Sequence, residues 1–251
     1  MEIPLLVAHR GYASCYPENT LSAVGAALEA GACYIEIDIQ MTSDGVPVLL
    51  HDDSLLRTAG RIEKINEMTI ENLSSIYVGE SGRFGNTFCK EPVATLAQLV
   101  ELLLQWPAVT VFIELKEESL EIFGADMMVD SVMKTIELVK DRVVIISFDD
   151  ASLRYAQIHY SIPVGWVIRE WGEAALQCAQ SLSPDYLICN YKKLPDSKKP
   201  MWSGNWQWCL YEVTDPILAL ELAHKGAALI ETMAIGEMLQ DCELAKRNCL
   251  E

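Results

Sequence analysis

The sequence predicts an α/β protein built on an eight-stranded parallel barrel. Short runs of apolar, often β-branched residues alternate with helical stretches along the whole chain, which is typical of parallel strands joined by crossover helices. Most of these runs are apolar at every position, as expected of strands that are covered on both faces. The length of 251 residues also suits a barrel of this class.

Nine segments carry the strand pattern and seven carry the helix pattern. Strands are expected at residues 5–8, 34–40, 46–51, 110–115, 143–148, 163–168, 186–190, 207–213 and 227–231. Helices are expected at residues 19–30, 95–106, 126–140, 150–159, 173–181, 215–225 and 235–247. In the first helix Leu21, Val24 and Leu28 form one apolar stripe, and Asn19 or Thr20 can cap its start.

A hairpin accounts for the ninth strand. Asp44-Gly45 separates two strand-like runs, which indicates a two-residue turn. The segment 46–51 would then run antiparallel to 34–40 and leave eight strands for the barrel. This register puts His51 opposite Asp38, and Glu36 shares their face because side chains repeat every second residue. A slip of one residue would break the arrangement.

We expect a single barrel domain over residues 1–251, with a small insertion at 53–93. The strand–helix alternation lapses in that segment, which contains Gly60, Gly79, Gly82 and Gly85. A plain loop of this length is unusual in a compact domain, so we interpret the segment as a small subdomain that covers the site. A second irregular stretch, 192–206, precedes a strand, and we interpret its tryptophans chiefly as buried packing.

The charge balance argues against two classes of partner. The chain has 19 basic and 36 acidic residues and a net charge of −17. Nucleic acids and anionic membrane surfaces both require basic patches, so neither is an expected partner. A phosphate-bearing small molecule is still compatible, because a bound cation and a few lysine or arginine side chains can reverse the sign locally.

The cysteines and the apolar runs indicate a cytoplasmic protein. The eight cysteines show no metal-binding or disulfide spacing, so free thiols are expected. No apolar run approaches the roughly 18 residues of a membrane span, and the first eight residues predict a strand and not a signal peptide. We therefore expect no stable membrane association. The sequence makes no prediction of oligomeric state.

Three acidic residues are candidate metal ligands. Glu36 and Asp38 alternate on the second predicted strand, and Glu114 ends the strand at 110–115. In a parallel barrel the site lies at the carboxyl ends of the strands, where these side chains would meet. A surface position is improbable for the pair, because their strand is otherwise apolar. An all-carboxylate set favours Mg²⁺ or Ca²⁺ over Zn²⁺.

Two histidines are candidate acid–base residues. His9 ends the first strand and His51 ends the hairpin strand, so each can flank the proposed cation. Histidine is the side chain best suited to move protons near neutral pH. Either residue alone would more often be a structural histidine, and only the joint placement favours catalysis. His159 and His224 lie in helical stretches, and we interpret both as structural or exposed.

Two cations can hold a phosphate. Arg10 follows His9, and Lys116 stands two residues beyond Glu114. A guanidinium and an ammonium beside a metal form a phosphate clamp. The alternatives are a loop salt bridge for Arg10, with Glu18 as its partner, and an exposed charge cluster for Lys116. The segment 17–20 is a helix entry that can also support the metal ligands.

The ordered motifs resemble those of the glycerophosphodiester phosphodiesterase family. They are His9-Arg10-Gly11, Pro17-Glu18-Asn19-Thr20, Glu36-x-Asp38, Thr42-x-Asp44-Gly45, His51-Asp52, Arg57-Thr58, Thr95-Leu96 and Glu114-x-Lys116. The resemblance is close over residues 5–116 and thinner beyond, where Ser147-Phe148 carries it. It implies a TIM-type barrel, a divalent metal and hydrolysis of glycerophosphodiesters to an alcohol and sn-glycerol 3-phosphate.

The resemblance also implies roles for individual residues. It assigns metal binding to Glu36, Asp38 and Glu114. It assigns acid–base catalysis to His9 and His51, and phosphate contacts to Arg10 and Lys116. The chain departs from the family on two late strands, where Tyr211-Glu212-Val213-Thr214 and Glu231-Thr232 stand in place of the usual residues. These departures bear on the leaving group.

Two alternatives compete with this interpretation. A related barrel phosphodiesterase could act on lysophospholipids or inositol phospholipids, and the tryptophans at 202, 206 and 208 would then face a lipid. A catalytically inactive barrel could bind glycerophosphate for sensing. The sequence does not decide which histidine is the acid, nor whether water or a glycerol hydroxyl is the nucleophile.

Overall fold

The computed structural model describes residues 3–195 and 200–247. The strands are β1 (Leu5–His9), β2 (Tyr34–Met41), β3 (Pro47–Leu49), β4 (Thr110–Leu115), β5 (Val143–Ser147), β6 (Val164–Val167), β7 (Tyr186–Asn190), β8 (Gln207–Tyr211) and β9 (Ala227–Thr232). The α-helices are α1 (Leu21–Glu29), α2 (Leu56–Ala59), α3 (Ile70–Leu73), α4 (Ser81–Phe84), α5 (Leu96–Leu103), α6 (Glu117–Phe123), α7 (Ala125–Thr135), α8 (Asp150–Tyr160), α9 (Glu173–Leu182), α10 (Pro216–His224) and α11 (Ile235–Leu239).

The strands close into the predicted barrel. Neighbouring strands pair in parallel in the order β1, β9, β8, β7, β6, β5, β4, β2, and β1 pairs with β2 to complete the circle. β3 is antiparallel to β2 and lies outside the circle. The fold is therefore a TIM-type (β/α)8 barrel with a hairpin extension of its second strand, as the sequence predicted.

Polar side chains fix where several helices begin. Thr20 accepts a hydrogen bond from Ala23 N, and Thr95 forms a reciprocal capping box with Gln98. Asp149 caps α8, and Asp215 caps α10 with a proline as the next residue. These contacts satisfy backbone N–H groups that a helix start leaves unpaired.

Outside the segment 53–93, two helical segments differ most from the sequence prediction. α6 was not predicted, because Glu117 and Glu118 suggested an exposed charge cluster, but acidic residues in a first turn favour the helix dipole. The predicted helix 235–247 ends at Leu239. Asp241 accepts hydrogen bonds from Glu243 N and Leu244 N and so starts a separate 3-10 turn, Leu244–Lys246.

The predicted hairpin register is wrong by one residue. Val48 pairs with Gln40 and Leu49 with Ile39, so Leu50 and not His51 stands opposite Asp38. The turn has three residues between Thr42 and Val46, whose backbones are hydrogen-bonded, and its last residue, Gly45, has a φ of 78°. A three-residue turn ending in the left-handed region is the next commonest hairpin type.

The apolar core has three parts. The largest lies between the barrel and its helices and includes Ile37, Leu99 and Val132. A second fills the barrel: Val7, Phe112, Val144, Ile146, Val167, Ile188, Cys209 and Leu229. The third lies beneath residues 53–93 and joins Val48 and Leu50 of the hairpin to Leu55, Ile65, Leu73, Ile76, Val78 and Val93. The segment 53–93 thus packs on the hairpin strand.

The tryptophans pack on one another. The Trp171 ring lies 4.2 Å from that of Trp202 and 5.1 Å from that of Trp208, centroid to centroid. Trp208 is buried, and its Nε1 donates to the Trp202 carbonyl. Among the described residues between β7 and β8, a 3-10 turn, Tyr191–Lys193, stands where a crossover helix is usual.

The cysteines correct one prediction. Cys33 is disulfide-bonded, although the spacing suggested only free thiols. Cys15, Cys89, Cys178, Cys189, Cys209 and Cys242 are free. None of the helices in the described ranges is both long and apolar enough to cross a membrane.

Candidate active site

A small cavity with both charged and apolar walls lies at the carboxyl ends of the barrel strands. It measures about 90 Å³, and its lining includes five predicted residues: His9, Arg10, His51, Glu114 and Lys116. Its apolar wall comes from the opposite side of the barrel, with Ile146, Phe148, Val167, Ile188 and Tyr211. Charged groups therefore lie on one side of the cavity and apolar groups on the other.

The three predicted metal ligands converge. Carboxylate oxygens of Glu36, Asp38 and Glu114 all lie within 4.8 Å of one another, since β2 and β4 are neighbours with Asp38 paired to Glu114. Glu36 and Asp38 are each 1% exposed. Glu36 Oε1 and Asp38 Oδ1 are buried without a hydrogen-bond partner. A buried carboxylate oxygen without such a partner raises the free energy of the folded state unless it binds a cation. This set of oxygen donors therefore suits a hard divalent cation.

The cluster perturbs its own proton affinities. Burial, followed by repulsion from Asp38, raises the pKa of Glu36 well above its ordinary value. Glu114 shares the same two causes, and its pKa is also raised. Burial would raise the pKa of Asp38 too, but Arg10 and Lys116 outweigh it and lower that pKa.

The turn before α1 holds Asp38 in place. Asn19 Nδ2 donates to Asp38 Oδ2 over 2.8 Å, and Asp38 N donates to Asn19 Oδ1 over 3.0 Å. Thr20 caps α1 and donates to the Pro17 carbonyl over 2.7 Å. The motif at 17–20 thus serves both as a helix entry and as a support for a candidate ligand.

The two predicted phosphate-binding cations face the same carboxylates. Arg10 Nε lies 3.1 Å from Asp38 Oδ2, and Arg10 Nη1 lies 2.8 Å from Glu18 Oε1. Lys116 Nζ lies 2.8 Å from Glu114 Oε1 and 3.4 Å from Asp38 Oδ1. Burial lowers the pKa of each cation, but Asp38 and the other carboxylates raise both above their ordinary values. Both side chains are therefore charged near neutral pH.

His51 reaches the cavity although its predicted register is wrong. β3 ends at Leu49, so the chain leaves the ladder and turns the imidazole toward Asp38. His51 Nδ1 lies 2.7 Å from Asp52 Oδ1. Because a carboxylate only accepts, Nδ1 carries the proton and Nε2 is free to accept one. Burial lowers the pKa of His51, which favours the neutral form.

Arg57 connects this pair to the other side of the site. Its guanidinium donates to Asp52 at 2.8 and 3.0 Å and to both oxygens of Glu18 at 2.8 Å. Glu18 in turn accepts from Arg10. A continuous series of ion pairs therefore runs from His51 through α2 to Arg10.

His9 has a more acidic environment than His51. Glu212 accepts a hydrogen bond from His9 Nδ1. His9 Nε2 lies 3.6 Å from Glu231 Oε1 and 3.8 Å from Glu36 Oε2. Burial lowers the pKa of His9, but Glu231 and Glu212 outweigh it, and the net pKa is raised. The two imidazoles are thus shifted in opposite directions.

Sequence reasoning missed Glu212 and Glu231 as site residues. Both lie in the segments where the chain departs from the family on late strands, and these departures were expected to bear only on the leaving group. One signal was available, because Glu231 stands two residues after the buried Leu229 on β9 and so points into the barrel at a strand end. Burial raises the pKa of Glu231 to about 7, although His9 opposes the shift.

The remaining candidates lie where a supporting role would put them. Phe148 lines the cavity, and Ser147 donates to the Leu115 carbonyl over 2.8 Å, which ties β5 to β4. His159 and His224 are exposed and lie on helices.

The barrel and its cavity define a class of enzyme that cleaves phosphoric diesters. The sequence profile of the glycerophosphoryl diester phosphodiesterase family matches residues 9–195. A glycerophosphodiester phosphodiesterase of Caldanaerobacter subterraneus subsp. tengcongensis is 32% identical over 188 residues, which are 72% of this chain and 76% of that protein. The chain belongs to the glycerophosphodiester phosphodiesterase family and is an enzyme of that activity.

Other similar proteins support the fold. Human glycerophosphodiester phosphodiesterase 1 is 36% identical over 110 residues, which are 44% of this chain and 33% of that protein. An Oleispira antarctica phosphodiesterase, solved in complex with the product sn-glycerol-3-phosphate, superposes with a TM-score of 0.82 at 24% identity and covers 94% of this chain and 95% of its own. A Silicibacter pomeroyi protein also gives a TM-score of 0.82, at 22% identity, over 95% of this chain and 93% of its own.

Proposed function

We propose that the enzyme hydrolyses glycerophosphodiesters to an alcohol and sn-glycerol 3-phosphate with the help of a divalent cation. The observation that carries the proposal is the convergence of Glu36, Asp38 and Glu114, two of which have buried oxygens without a hydrogen-bond partner. The cavity lies between these charged groups, with Arg10 and Lys116 among them, and the apolar wall, so the phosphate of a small diester could face the charged side. The product bound to the Oleispira relative supports the same substrate class.

In this proposal Glu36, Asp38 and Glu114 hold Mg²⁺ or Ca²⁺. When bound, the cation would offset negative charge on the phosphate in the transition state. Arg10 and Lys116 would then turn from the carboxylates that they contact in the structure toward the phosphate oxygens. Both side chains are little exposed to solvent, so their contacts with a phosphate would be strong.

We base the roles of the two histidines on the opposite directions of their pKa shifts. His51 has a lowered pKa and a free Nε2, so we assign it as the base that accepts the proton of the nucleophile. His9 has a raised pKa and is held by Glu212, so we assign it as the acid that protonates the departing alkoxide. This division keeps one group ready to accept and the other ready to donate at neutral pH.

The nucleophile is either water or the neighbouring glycerol hydroxyl. A hydroxyl attack would give a cyclic phosphate, which water would then open. Rapid-quench reactions that trap a cyclic phosphate would identify this route. If no cyclic phosphate forms and glycerol 3-phosphate still carries ¹⁸O from solvent water, the direct attack by water is identified.

One assay tests the proposal as a whole. Purified protein is incubated with glycerophosphocholine or glycerophosphoethanolamine in Mg²⁺, Ca²⁺ or EDTA, and glycerol 3-phosphate is measured. We expect product with a cation and none with EDTA. His51→Ala should abolish turnover without altering the circular dichroism spectrum, whereas His159→Ala, an exposed histidine, should behave like the wild type. Full activity in EDTA would contradict the proposal.

The alternative substrates can be tested in the same assay. Micelles of lysophosphatidylcholine replace the soluble diester as the substrate. Faster release of product from micelles than from glycerophosphocholine would favour the lipid-directed alternative. Binding of glycerol 3-phosphate with no turnover of any substrate would favour an inactive binding protein.

The proposal includes one barrel domain with the insertion at 53–93, and a cytoplasmic location. In the described ranges six cysteines are free, three of them exposed, which favours a reducing compartment. Cys33 argues against it, because the structure has this residue in a disulfide. Alkylation of the protein in intact cells before lysis distinguishes a reducing from an oxidising compartment. In a cytoplasmic enzyme Cys33 should be reduced and therefore alkylated.

A further inference from the structure

A second group of metal-binding atoms lies beside the first. His9 Nε2 and a carboxylate oxygen each from Glu36 and Glu231 lie within 4.8 Å of one another. We propose that these three residues form a second divalent-cation site, suited to a borderline cation such as Zn²⁺, that shares Glu36 with the first site. A nitrogen donor beside two carboxylates matches Zn²⁺ better than Mg²⁺.

The distances fit a shared ion better than direct hydrogen bonds. His9 Nε2 lies 3.6 Å from Glu231 Oε1 and 3.8 Å from Glu36 Oε2. Both separations exceed the usual range for hydrogen bonds. Zinc bonds of 2.0–2.2 Å in tetrahedral geometry separate neighbouring donors by about 3.4 Å, so small side-chain movements would bring these atoms around an ion.

Glu231 is a buried carboxylate that needs a partner. It is 4% exposed. In residues 3–195 and 200–247 its side chain accepts no hydrogen bond, and its ionic contact is with His9. Leaving a carboxylate in such a position is costly. A cation between Glu231 and His9 would remove that cost.

The far side of the His9 ring is arranged as in known zinc sites. Glu212 accepts from Nδ1, so the Nε2 lone pair points toward Glu36 and Glu231. Glu212 is itself fixed, because its Oε1 accepts from Met233 N over 2.8 Å. A carboxylate that holds the remote nitrogen of a histidine is the usual support of a ligating imidazole.

The local charge also favours more than one cation. Five carboxylates lie in or beside the two candidate sites, namely Glu36, Asp38, Glu114, Glu212 and Glu231, against the side-chain cations Arg10 and Lys116. With one divalent ion in the first site this group keeps a net negative charge, which attracts a second cation.

Occupation of the second site has a consequence that rests on the proposed function. The ion would bind His9 Nε2, which is the atom assigned to donate the proton. Zn²⁺ should therefore inhibit the enzyme in excess Mg²⁺ by occupying the second site, without displacing Mg²⁺ from the first.

The test measures binding before activity. Zn²⁺ bound per chain is determined by equilibrium dialysis and elemental analysis in excess Mg²⁺, for the wild type, for Glu231→Gln and for Glu173→Gln, an exposed control. We expect Glu231→Gln to bind one Zn²⁺ fewer than the other two proteins. The comparison removes any contribution from the exposed cysteines, which all three share. Equal binding by all three would overturn the proposal.

A spectroscopic readout covers the case in which Glu231→Gln disturbs the fold. In ¹⁵N-histidine-labelled wild-type protein, Zn²⁺ should shift the Nε2 resonance of His9, assigned with a His9→Gln variant, and leave those of His159 and His224 in place. An unchanged His9 resonance at saturating Zn²⁺ would overturn the second site.

The activity arm separates this inference from the proposed function. In Mg²⁺, the Zn²⁺ concentration for half inhibition should rise at least about tenfold in Glu231→Gln. If the protein hydrolyses glycerophosphocholine but the zinc stoichiometries are equal, the second site fails and the proposed function stands. If it hydrolyses nothing yet Glu231→Gln loses one Zn²⁺, the site stands and the function fails.

Discussion

At the scale of single residues, the site depends on how each imidazole is held. His51 is paired with one carboxylate that Arg57 already neutralises in part. His9 contacts Glu212 and lies near Glu231, and neither carboxylate has an arginine or lysine partner among the described ion pairs. The same residue type therefore has its pKa moved in two directions by its neighbours.

The His9 assignment predicts a change in pH dependence. Activity requires protonated His9 and so should fall as pH rises through its pKa. Glu212→Gln removes a charge that raises this pKa, so the alkaline limb of kcat/KM should move to lower pH. The profile is measured with glycerophosphocholine at saturating Mg²⁺.

The control for that experiment is Glu173→Gln, whose side chain is exposed and whose profile should match the wild type. An alkaline limb that stays in place in Glu212→Gln would contradict the assignment of His9 as the acid.

Gly11 shows how a single residue shapes the motif after β1. Its φ is 79°, and a Cβ built there would lie 2.6 Å from the carbonyl carbon of Ala23 in α1. Gly11→Ala should therefore lower the free energy of unfolding by at least about 1 kcal/mol. It should also reduce activity, because the shifted backbone would displace His9 and Arg10. Urea denaturation and steady-state kinetics measure the two effects.

Gly25 provides a matched control on α1 itself. A Cβ there would meet no atom within 4 Å, and alanine is the better helix former, so Gly25→Ala should be neutral or stabilise by up to about 1 kcal/mol. Similar losses of stability in both variants would show that the close approach at Gly11 is not the cause.

At the scale of elements, α2 connects the two ends of the candidate site although it lies outside the barrel. Arg57 on this helix is the link between the Asp52–His51 pair and the Glu18–Arg10 pair. Glu18 N also donates to Glu80 Oε2 over 3.0 Å, so the insertion contacts the turn at 17–20 twice.

Arg57→Lys tests this link. Lysine keeps the charge but cannot form both two-pronged contacts, so kcat should fall about tenfold or more while KM changes less. The reason is that His51 loses its fixed orientation, whereas Arg10 keeps its own contacts with Glu18 and Asp38. Arg61→Lys is the control, because Arg61 pairs with Glu63 on the exposed surface. An equal effect in both variants would argue against a positioning role.

The elements also show what the sequence could and could not predict. Apolar runs gave the parallel strands, because local periodicity reports burial on both faces. Glu36 and Asp38 were found because they alternate on such a strand. The register of β3 was predicted wrongly because the hairpin turn has one residue more than expected, as the Thr42–Val46 hydrogen bond shows. A shift of one residue moves each side chain of the strand to the other face of the sheet. Glu212 and Glu231 were missed because barrel closure, a long-range event, places β9 beside β1 and β8 on the far side of β9.

At the scale of the whole molecule, the buried carboxylates set a balance between folding and function. The folded-state pKa values of Glu36 and Glu114 are raised. A carboxyl group whose pKa is higher in the folded than in the unfolded state favours folding at low pH, where it is protonated. That contribution is lost as pH rises through the folded-state pKa. At neutral pH these groups therefore destabilise the metal-free fold.

A divalent cation should reverse that loss. We expect Mg²⁺ or Ca²⁺ to raise Tm, and the gain to grow as pH rises above the ordinary carboxylate range, because protons compete with the ion. Thermal unfolding is followed with and without EDTA at a series of pH values. Glu114→Gln should reduce the gain, whereas Glu173→Gln should not. A gain that is the same at every pH would contradict the linkage.

The insertion and the apolar wall lie on opposite sides of the cavity. Arg57 and Glu80 hold the insertion against the turn at 17–20, on the charged side. Phe148 and Tyr211 form part of the apolar wall on the other side. A leaving alcohol that lies against this wall would contact these two rings, so we expect the size and polarity of the wall to influence which alcohols the enzyme accepts.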